Sequence, residues 1–518
     1  MNMKRKKNLS HPLPRRGVLC VRLCCLLLMG SMLVSCNDWL DVKSETEDKE
    51  EDLFSKEVGF KSALTGIYMS LAERSAYGEN LTMSAIEELG CVWYCDDFDK
   101  NPAFYFLHKH DYTNDYAKDV LKEVYQQLFF TITQANILLK NVHEHSEAIE
   151  NHLRLKKLIE GEAYAVRALC QFDVLRLFGQ LPGHQGAQSV KLPYSFTTKI
   201  NDLPMYYDYD GYVGLLREDL SKALELLKES DPVMDYSLGE LNNVNGNLFD
   251  DDYYYYRRIR LNYWAVKGLK ARMDLYLGDM ASAHAEALDV IQATTTNGTK
   301  VVSLNADGDL GNDYYTLPSE HLFALSKYDV FSYSNSLMVG NGTARVTPNG
   351  HLVVSQAMLN NMFQGSDISS NNRYLKLWNK TATTSQGSVF PCLCKYYFNT
   401  SGGNPSTTYQ ALIPLIRLSE MYLIAMETAG DVSEANALYY DYMRDHKITP
   451  STEYFKDMSE VRDEVIKEYR REFIGEGHVF YTYKRLFLRD MPWRNADDEI
   501  TESDYIVPLP DTEYVVEG

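Results

Sequence analysis

Aromatic rings set beside hydrogen-bonding side chains are the chemistry this sequence offers most often. It holds 38 Tyr, 20 Phe and 5 Trp. Many lie in polar, turn-rich stretches: Trp93-Tyr94, Phe104-Tyr105-Phe106, Tyr112, Tyr206-Tyr207, Tyr209, Tyr253 to Tyr256, Tyr314-Tyr315, Tyr333 and Trp378. A flat ring covers the apolar C–H face of a sugar, while Asp, Asn, Gln and Arg pair with the hydroxyl rim. Tyr does some of both and loses little side-chain entropy on binding. Taken singly, most such rings pack a loop onto a helix. Taken together, they predict at least one exposed platform.

Other chemistries have weaker support. The chain has no Gly-x-Ser-x-Gly elbow, no His-Glu-x-x-His pair and no phosphate loop. With 72 Asp and Glu, acid pairs are unavoidable, so counting them does not decide for or against a glycosidase. The stretches "DFDKN" (Asp97, Asp99, Asn101) and "NADGD" (Asn305, Asp307, Asp309) begin like calcium loops but lack the closing Glu in register. A structural calcium ion is the one ion they could hold, and no cofactor is implied. Of nine Cys, three precede Cys36, leaving Cys91, Cys95, Cys170, Cys392 and Cys394. An odd number at uneven spacing is no disulfide framework. No His stands at zinc-finger spacing, so buried free thiols are expected and no metal set is assigned. Arg167, Asp173, Arg417, Glu420, Glu472 and Glu476 read as ion pairs clamping helices, because such residues need partners when buried.

The elements that must position these groups are helices. "EVGFKSALTGIYMSLAERS" puts Phe60, Ala63, Leu64, Ile67, Tyr68 and Leu71 on one face. "DVLKEVYQQLFFTITQANILLKNV" does the same with Leu121, Val124, Leu128, Ile132, Ala135 and Leu139. "KLIEGEAYAVRALCQFDVLRLFGQLP" is apolar nearly all round, which predicts a buried helix, and it stops at Gly179 with Pro182 beyond. Two later stretches, from Ala265 and from Leu415, look like each other. Each runs into Gly-Asp (Gly278-Asp279, Gly430-Asp431) and restarts with Ala283 or Ala435. They predict tetratricopeptide-type helix pairs, each first helix ended by its Gly, dispersed rather than in a regular array. Between them, residues 294–414 are rich in Asn, Ser, Thr, Gly and Tyr, the composition of loops that carry function on a rigid frame.

Residues 1–16 carry Lys4, Arg5, Lys6, Lys7, Arg15 and Arg16 and no acid, and Gly17 to Val34 is mostly apolar, broken by Arg22. That order is a secretory signal; a permanent span needs about 20 apolar residues. Leu33-Val34-Ser35-Cys36 resembles the bacterial lipobox. In such signals the Cys sulfur receives a diacylglyceryl group, the peptide is cut just before it, and the new amine takes an acyl chain such as palmitate. Cys36 is thus the expected anchor, held by more than one chain. The formal net charge is −20; residues 1–35 hold seven Lys/Arg and no acid, so the remainder has 45 basic and 72 acidic residues, a net −27. Such a surface argues against nucleic acid as partner. "DVKSETEDKEEDLF" reads as a solvated acidic tether.

The order of motifs resembles the SusD/RagB family of nutrient-binding outer-membrane lipoproteins. After the lipobox, "CNDWLDVKSE" is similar to that family's Cys-x-x-x-Leu-Asp opening, and "QANILLKNV" to its Ala-Asn-x-Leu-Leu helix. "EGEAYAVRALCQFDVLRLFGQLP" resembles its commonest signature, and "PLIRLSEMYLIAMETA" its Pro-Leu-Ile-Arg-Leu-x-Glu-x-Tyr-Leu segment. "IKEYRREFIGEGHVFYTYKRL" and "YIVPLPDTEY" are similar to its closing segments, with His478 where Arg is usual and Thr482 where Asp is usual.

The resemblance implies a mostly α, SusD-like fold: a scaffold of dispersed helix pairs with a loop-rich, irregular ligand-binding region. The expected organisation is a signal peptide (1–35), lipidated Cys36 with its tether (36–55) and a helical region (56–293). A loop-rich insertion (294–414) and a C-terminal SusD/RagB region (415–518) follow, with room for two or three lobes. The implied function is non-enzymatic: binding an oligosaccharide outside the outer membrane and passing it, as a lid, to a SusC-like TonB-dependent transporter. The implied platform comes from residues 93–112 and 314–378. Ring chemistry and location select Trp93, Tyr94, Phe104, Tyr105, Tyr112, Tyr314, Tyr315, Tyr333 and Trp378. Three alternatives stand beside this: a RagB-like peptide receptor, a surface glycoside hydrolase, and a helical scaffold without a small ligand.

Overall fold

The computed structural model describes residues 45–95, 101–199, 202–338, 345–347, 350–364, 368–398, 406, 408–449, 454–494 and 499–513. Cys36 and its signal lie outside them. Residues 57–518 form one compact unit. Among the described residues no helix is long and apolar enough to cross a membrane.

Part of the expected tether is ordered: Glu45–Phe54 is a helix, α1. Its Glu and Lys residues are good helix formers, so a stretch read only as a solvated tether takes helical form.

The N-terminal frame contains α2 (Glu57–Leu71), α3 (Ala85–Leu89), α4 (Pro102–His108), α5 (Asp115–Glu144), α6 (Leu153–Phe178) and α7 (Tyr209–Ser230). Helix α6 packs between α5 and α7, and α2 lies on α5. The predicted stripe of α5 is buried along its whole length. Helix α6 is buried nearly all round and ends at Phe178, one residue before Gly179. Its polar groups are paired as burial demands: Arg167 with Asp219 at 2.6 Å, Asp173 with Arg176, and Glu162 with Arg257 at 2.6 Å.

The two look-alike stretches fold as helix pairs, α8 (Tyr263–Leu277) with α9 (Met280–Gln292), and α14 (Leu418–Glu427) with α15 (Val432–Asp445). Gly278 ends α8 in the left-handed region at φ 86°, and Asp279 caps α9 by accepting from Ser282 N. The second pair differs in detail. Helix α14 stops at Glu427, before Gly430, while Asp431 caps α15 from Ser433 and Glu434 N. Helix α9 packs on α14, so pairs far apart in the chain are neighbours in space. Helix α16 (Met458–Phe473) closes this half over a core that includes Leu423, Tyr439, Tyr442, Val465 and Phe473, and α17 (Val479–Leu486) packs on α16.

Short antiparallel pairs tie the rest: β1 (Leu192–Tyr194) with β2 (Met205–Tyr207), β3 (His321–Ser326) with β6 (Leu412–Arg417), and β4 (Trp378–Asn379) with β5 (Cys392–Leu393). The β3–β6 ribbon, His321 opposite Arg417, gathers most of the insertion between its two strands. That insertion is more regular than its composition suggests. It contains α10 (Ala306–Gly311), α11 (Val330–Met338), α12 (Gln356–Met362) and α13 (Asn372–Lys376). Side chains of Ser355 and Asn371 cap the last two, so the same Ser and Asn residues that read as loop chemistry serve as helix starts. A four-residue helix, α18 (Glu502–Tyr505), completes the set.

Arg417 leads into α14 and pairs with Glu320 (3.0 Å), Glu472 (2.7 Å) and Glu476 (2.9 Å). Arg373 meets Glu468 and Glu472, Lys395 meets Glu476, and Arg272 meets Glu420. These pairs are buried: Glu320, Arg373 and Lys395 tie the insertion to Arg417 and to the Glu residues in and just after α16, while Arg272–Glu420 joins α8 to α14.

Candidate ligand-binding site

One cleft, of about 420 Å3, is lined by Trp93, Tyr94 and Cys95 on one side, Ser355, Ala357, Met358 and Asn361 on another, and Trp493. Three segments far apart in the chain are held together to build it. Trp93 is an anchor rather than a wall: its ring is 1% exposed and its Nε1 donates to Met83 O at 2.8 Å. Half-buried Tyr94 donates its backbone N–H to Val353 O at 2.8 Å, and its ring meets Phe390 at 4.9 Å and 60°. It packs on the small cluster of Val346, Val353, Ala382 and Cys392. Across from it, Ser355 Oγ accepts from Met358 N at 3.1 Å and starts α12. The far end of α12 is held by Arg471, whose Nε donates to Met362 O at 2.8 Å while Glu464 and Glu468 hold the guanidinium. Trp493 sits at φ 65°, its carbonyl 3.3 Å from His108 Nε2, with the Arg470 guanidinium 5.8 Å from its ring.

The chemistry of this cleft is a pair of half-buried rings, Tyr94 and Trp493, with the exposed Asn361 amide and the Ser355 hydroxyl nearby. Rings cover apolar C–H surface and the amide both donates and accepts. Two buried acids lie on α3. Glu87 accepts from Gly475 N and Gly477 N at 3.0 and 2.9 Å, and burial pushes its carboxyl up to about 8. Glu88 is raised by burial as well.

The nine selected aromatic residues therefore separate. Tyr94 is in the cleft. Trp93, Phe104 and Trp378 are buried, the last two within α4 and β4, which corrects the expectation that they offer open faces. The hydroxyls of Tyr112 and Tyr333 are spent on backbone carbonyls, Asp504 O at 2.6 Å and Gly78 O at 2.7 Å. Tyr105 lies half-buried in α4, with Lys109 Nζ 4.6 Å from its ring centre. Tyr314 and Tyr315 do not line the cleft. Tyr314 instead stacks on exposed Tyr409, centroids 5.1 Å apart and planes 7° apart, and Tyr315 donates to Asp313 at 3.1 Å. Trp493, Asn361 and Tyr409 had no local signal in the sequence, since nothing in their neighbourhoods marks them from other loop residues.

Among the described residues of the calcium-like stretches, the side chains of Asn101, Asp307 and Asp309 have protein partners. Asp97 and Asp99 lie outside the described residues, and Asn101 caps α4 from Phe104 N. Asp307 is engaged by Lys447 and Asn372, and Asp309 by Ser319. The five later cysteines are buried free thiols. Another cleft, about 690 Å3, lies at helix ends near Gly278, Glu427 and Arg485 and is lined by none of the selected rings.

Comparison with known proteins gives one family twice. Residues 324–513 match the model of the SusD family, and residues 38–233 match a SusD-like model described as starch-binding and associating with the outer membrane. A curated relative, SusD-like protein P2 of Formosa agariphila, is 21% identical across 93% of this chain and 95% of its own length. A SusD superfamily protein of Bacteroides thetaiotaomicron is similar in structure, with a TM-score of 0.66, 21% identity, and coverage of 88% of this chain and 96% of that one. A laminarin-binding SusD-like protein gives a TM-score of 0.62 at 18% identity, over 89% of this chain and 97% of its own.

Proposed function

Because the chain belongs to the SusD family, we propose that it is a surface receptor that binds an oligosaccharide in the Tyr94–Trp493 cleft. It then delivers that cargo to a SusC-like TonB-dependent transporter in the outer membrane. The observation that carries the reading is the cleft itself. The two segments implied by the family resemblance, after the first helices and within the insertion, meet there with Tyr94 and Asn361, and Trp493, from outside both, adds a second half-buried ring. A sugar needs both surfaces. Lipid on Cys36 holds the receptor at the membrane exterior, and a lid that moves with its transporter needs no nucleotide site of its own. The receptor works by binding rather than by catalysis. The two acids of α3 are engaged within the protein: Glu87 accepts from two backbone amides and Glu88 faces His108.

Calorimetric titration of the full chain in detergent with laminari- and malto-oligosaccharides tests the proposal. Saturable heat with one series and no release of reducing ends is expected. New reducing ends would replace it with the hydrolase reading. Heat with peptides alone would replace it with the peptide receptor.

A further inference from the structure

Glu88, Cys95 and His108 bring a carboxylate, a thiol and an imidazole together, with one donor atom of each within 4.8 Å of the others. All three side chains are buried. They arrive from α3, from the segment that forms the cleft wall, and from the last residue of α4. Glu88 Oε2 lies 3.2 Å from His108 Nδ1. An ion with bonds of about 2.0–2.3 Å in tetrahedral geometry separates its donors by roughly 3.3–3.8 Å. The trio is therefore close to the span an ion requires. The other ring nitrogen of His108, Nε2, lies 3.3 Å from the Trp493 carbonyl. A metal-bound imidazole commonly fixes its free N–H on such a carbonyl, which leaves Nδ1 to ligate.

We propose that Glu88, Cys95 and His108 form a binding site for a borderline-soft divalent cation of the zinc class. A thiolate and an imidazole select such an ion over calcium or magnesium, which take oxygen ligands. Three protein ligands leave a fourth position for water. Cys95 also lines the Tyr94–Trp493 cleft, which gives the ion a way in from solvent. Binding is an exchange of cations: the Cys95 thiol gives up its proton, the proton shared by His108 and Glu88 leaves, and no electron moves. The ion would join α3 to α4 and pin the wall that carries Tyr94. The site does not depend on what the cleft holds, so it can fail while the receptor reading stands.

The test uses the full chain in detergent, stripped with a chelator and dialysed against Co2+ alone. One Co2+ per chain is expected, with a thiolate-to-cobalt charge-transfer band that Zn2+ removes. The band should be lost in Cys95→Ala and in Cys95→Ser, which nearly keeps the side-chain volume, and retained in Cys394→Ala, which removes a different buried thiol. Both Cys95 variants leave the Glu88–His108 pair in place, and circular dichroism checks their fold. Absence of the band in the unaltered chain, or its survival in either Cys95 variant, overturns the site.

Discussion

Tyr94 combines an accessible ring with a fixed backbone, and that is what a stacking contact needs. Replacing it in Tyr94→Ala should weaken oligosaccharide binding by about 1 kcal/mol, with a smaller loss of stability than removal of a fully buried ring. Trp378→Ala should do the reverse. That ring is 4% exposed within β4, so its loss should cost about 3–5 kcal/mol of stability, read by urea unfolding. The contrast shows how far single residues could be read in the sequence. Ring type and loop location pointed to Tyr94 and Trp378 alike. Burial separates them, and burial is set by residues distant in the chain, such as Leu393 opposite Trp378.

Glu87 carries a prediction of another kind. Burial, opposed by the Gly477 amide and Lys395, raises its carboxyl from 4.5 to about 8; burial, opposed by Arg417, does the same to Glu320. A raised carboxyl binds its proton more tightly in the folded chain. Its stabilising contribution is complete below the unfolded value and disappears as pH rises through the folded one. Stability should therefore fall between about pH 5 and pH 8, by up to about 1.4 kcal/mol per pH unit for each group. In Glu87→Gln, calorimetric melting across that range should show a shallower fall; an unchanged slope would contradict the raised value.

Among the elements, the long amphipathic helices follow from period alone, and α5 and α6 match their expected stripes and stop. The helix pairs are legible too, because Gly278 and the capping Asp279 and Asp431 are local signals. What period cannot supply is pairing over distance. The β3–β6 ribbon joins residues about 90 apart and the short helices of the insertion depend on partners such as Arg471. A turn at the edge of α17 is equally dependent on its surroundings. Gly477 sits at φ 78°, and a Cβ there would lie 2.1 Å from Leu81 O. Gly477→Ala should destabilise the chain by more than the roughly 1 kcal/mol lost for an ordinary glycine substitution. Urea midpoints would show it, and a neutral outcome would mean that α3 and its flanking turn shift freely.

For the whole molecule, charge is in acidic excess overall and paired inside. The chain after residue 35 is strongly acidic, while its interior neutralises its own charges through Arg417, Arg373, Lys395 and their Glu partners. Those clamps bind the insertion to the helical frame and so hold one wall of the cleft in register with the other. A receptor of this form should accept its ligand with small rearrangement of the frame. The most direct measurement is a crystal structure of the chain with a bound laminari- or malto-oligosaccharide. Sugar density against Tyr94 and Trp493, within reach of Asn361, is the predicted result. Density at the Tyr314–Tyr409 pair with an empty Tyr94 cleft would contradict it.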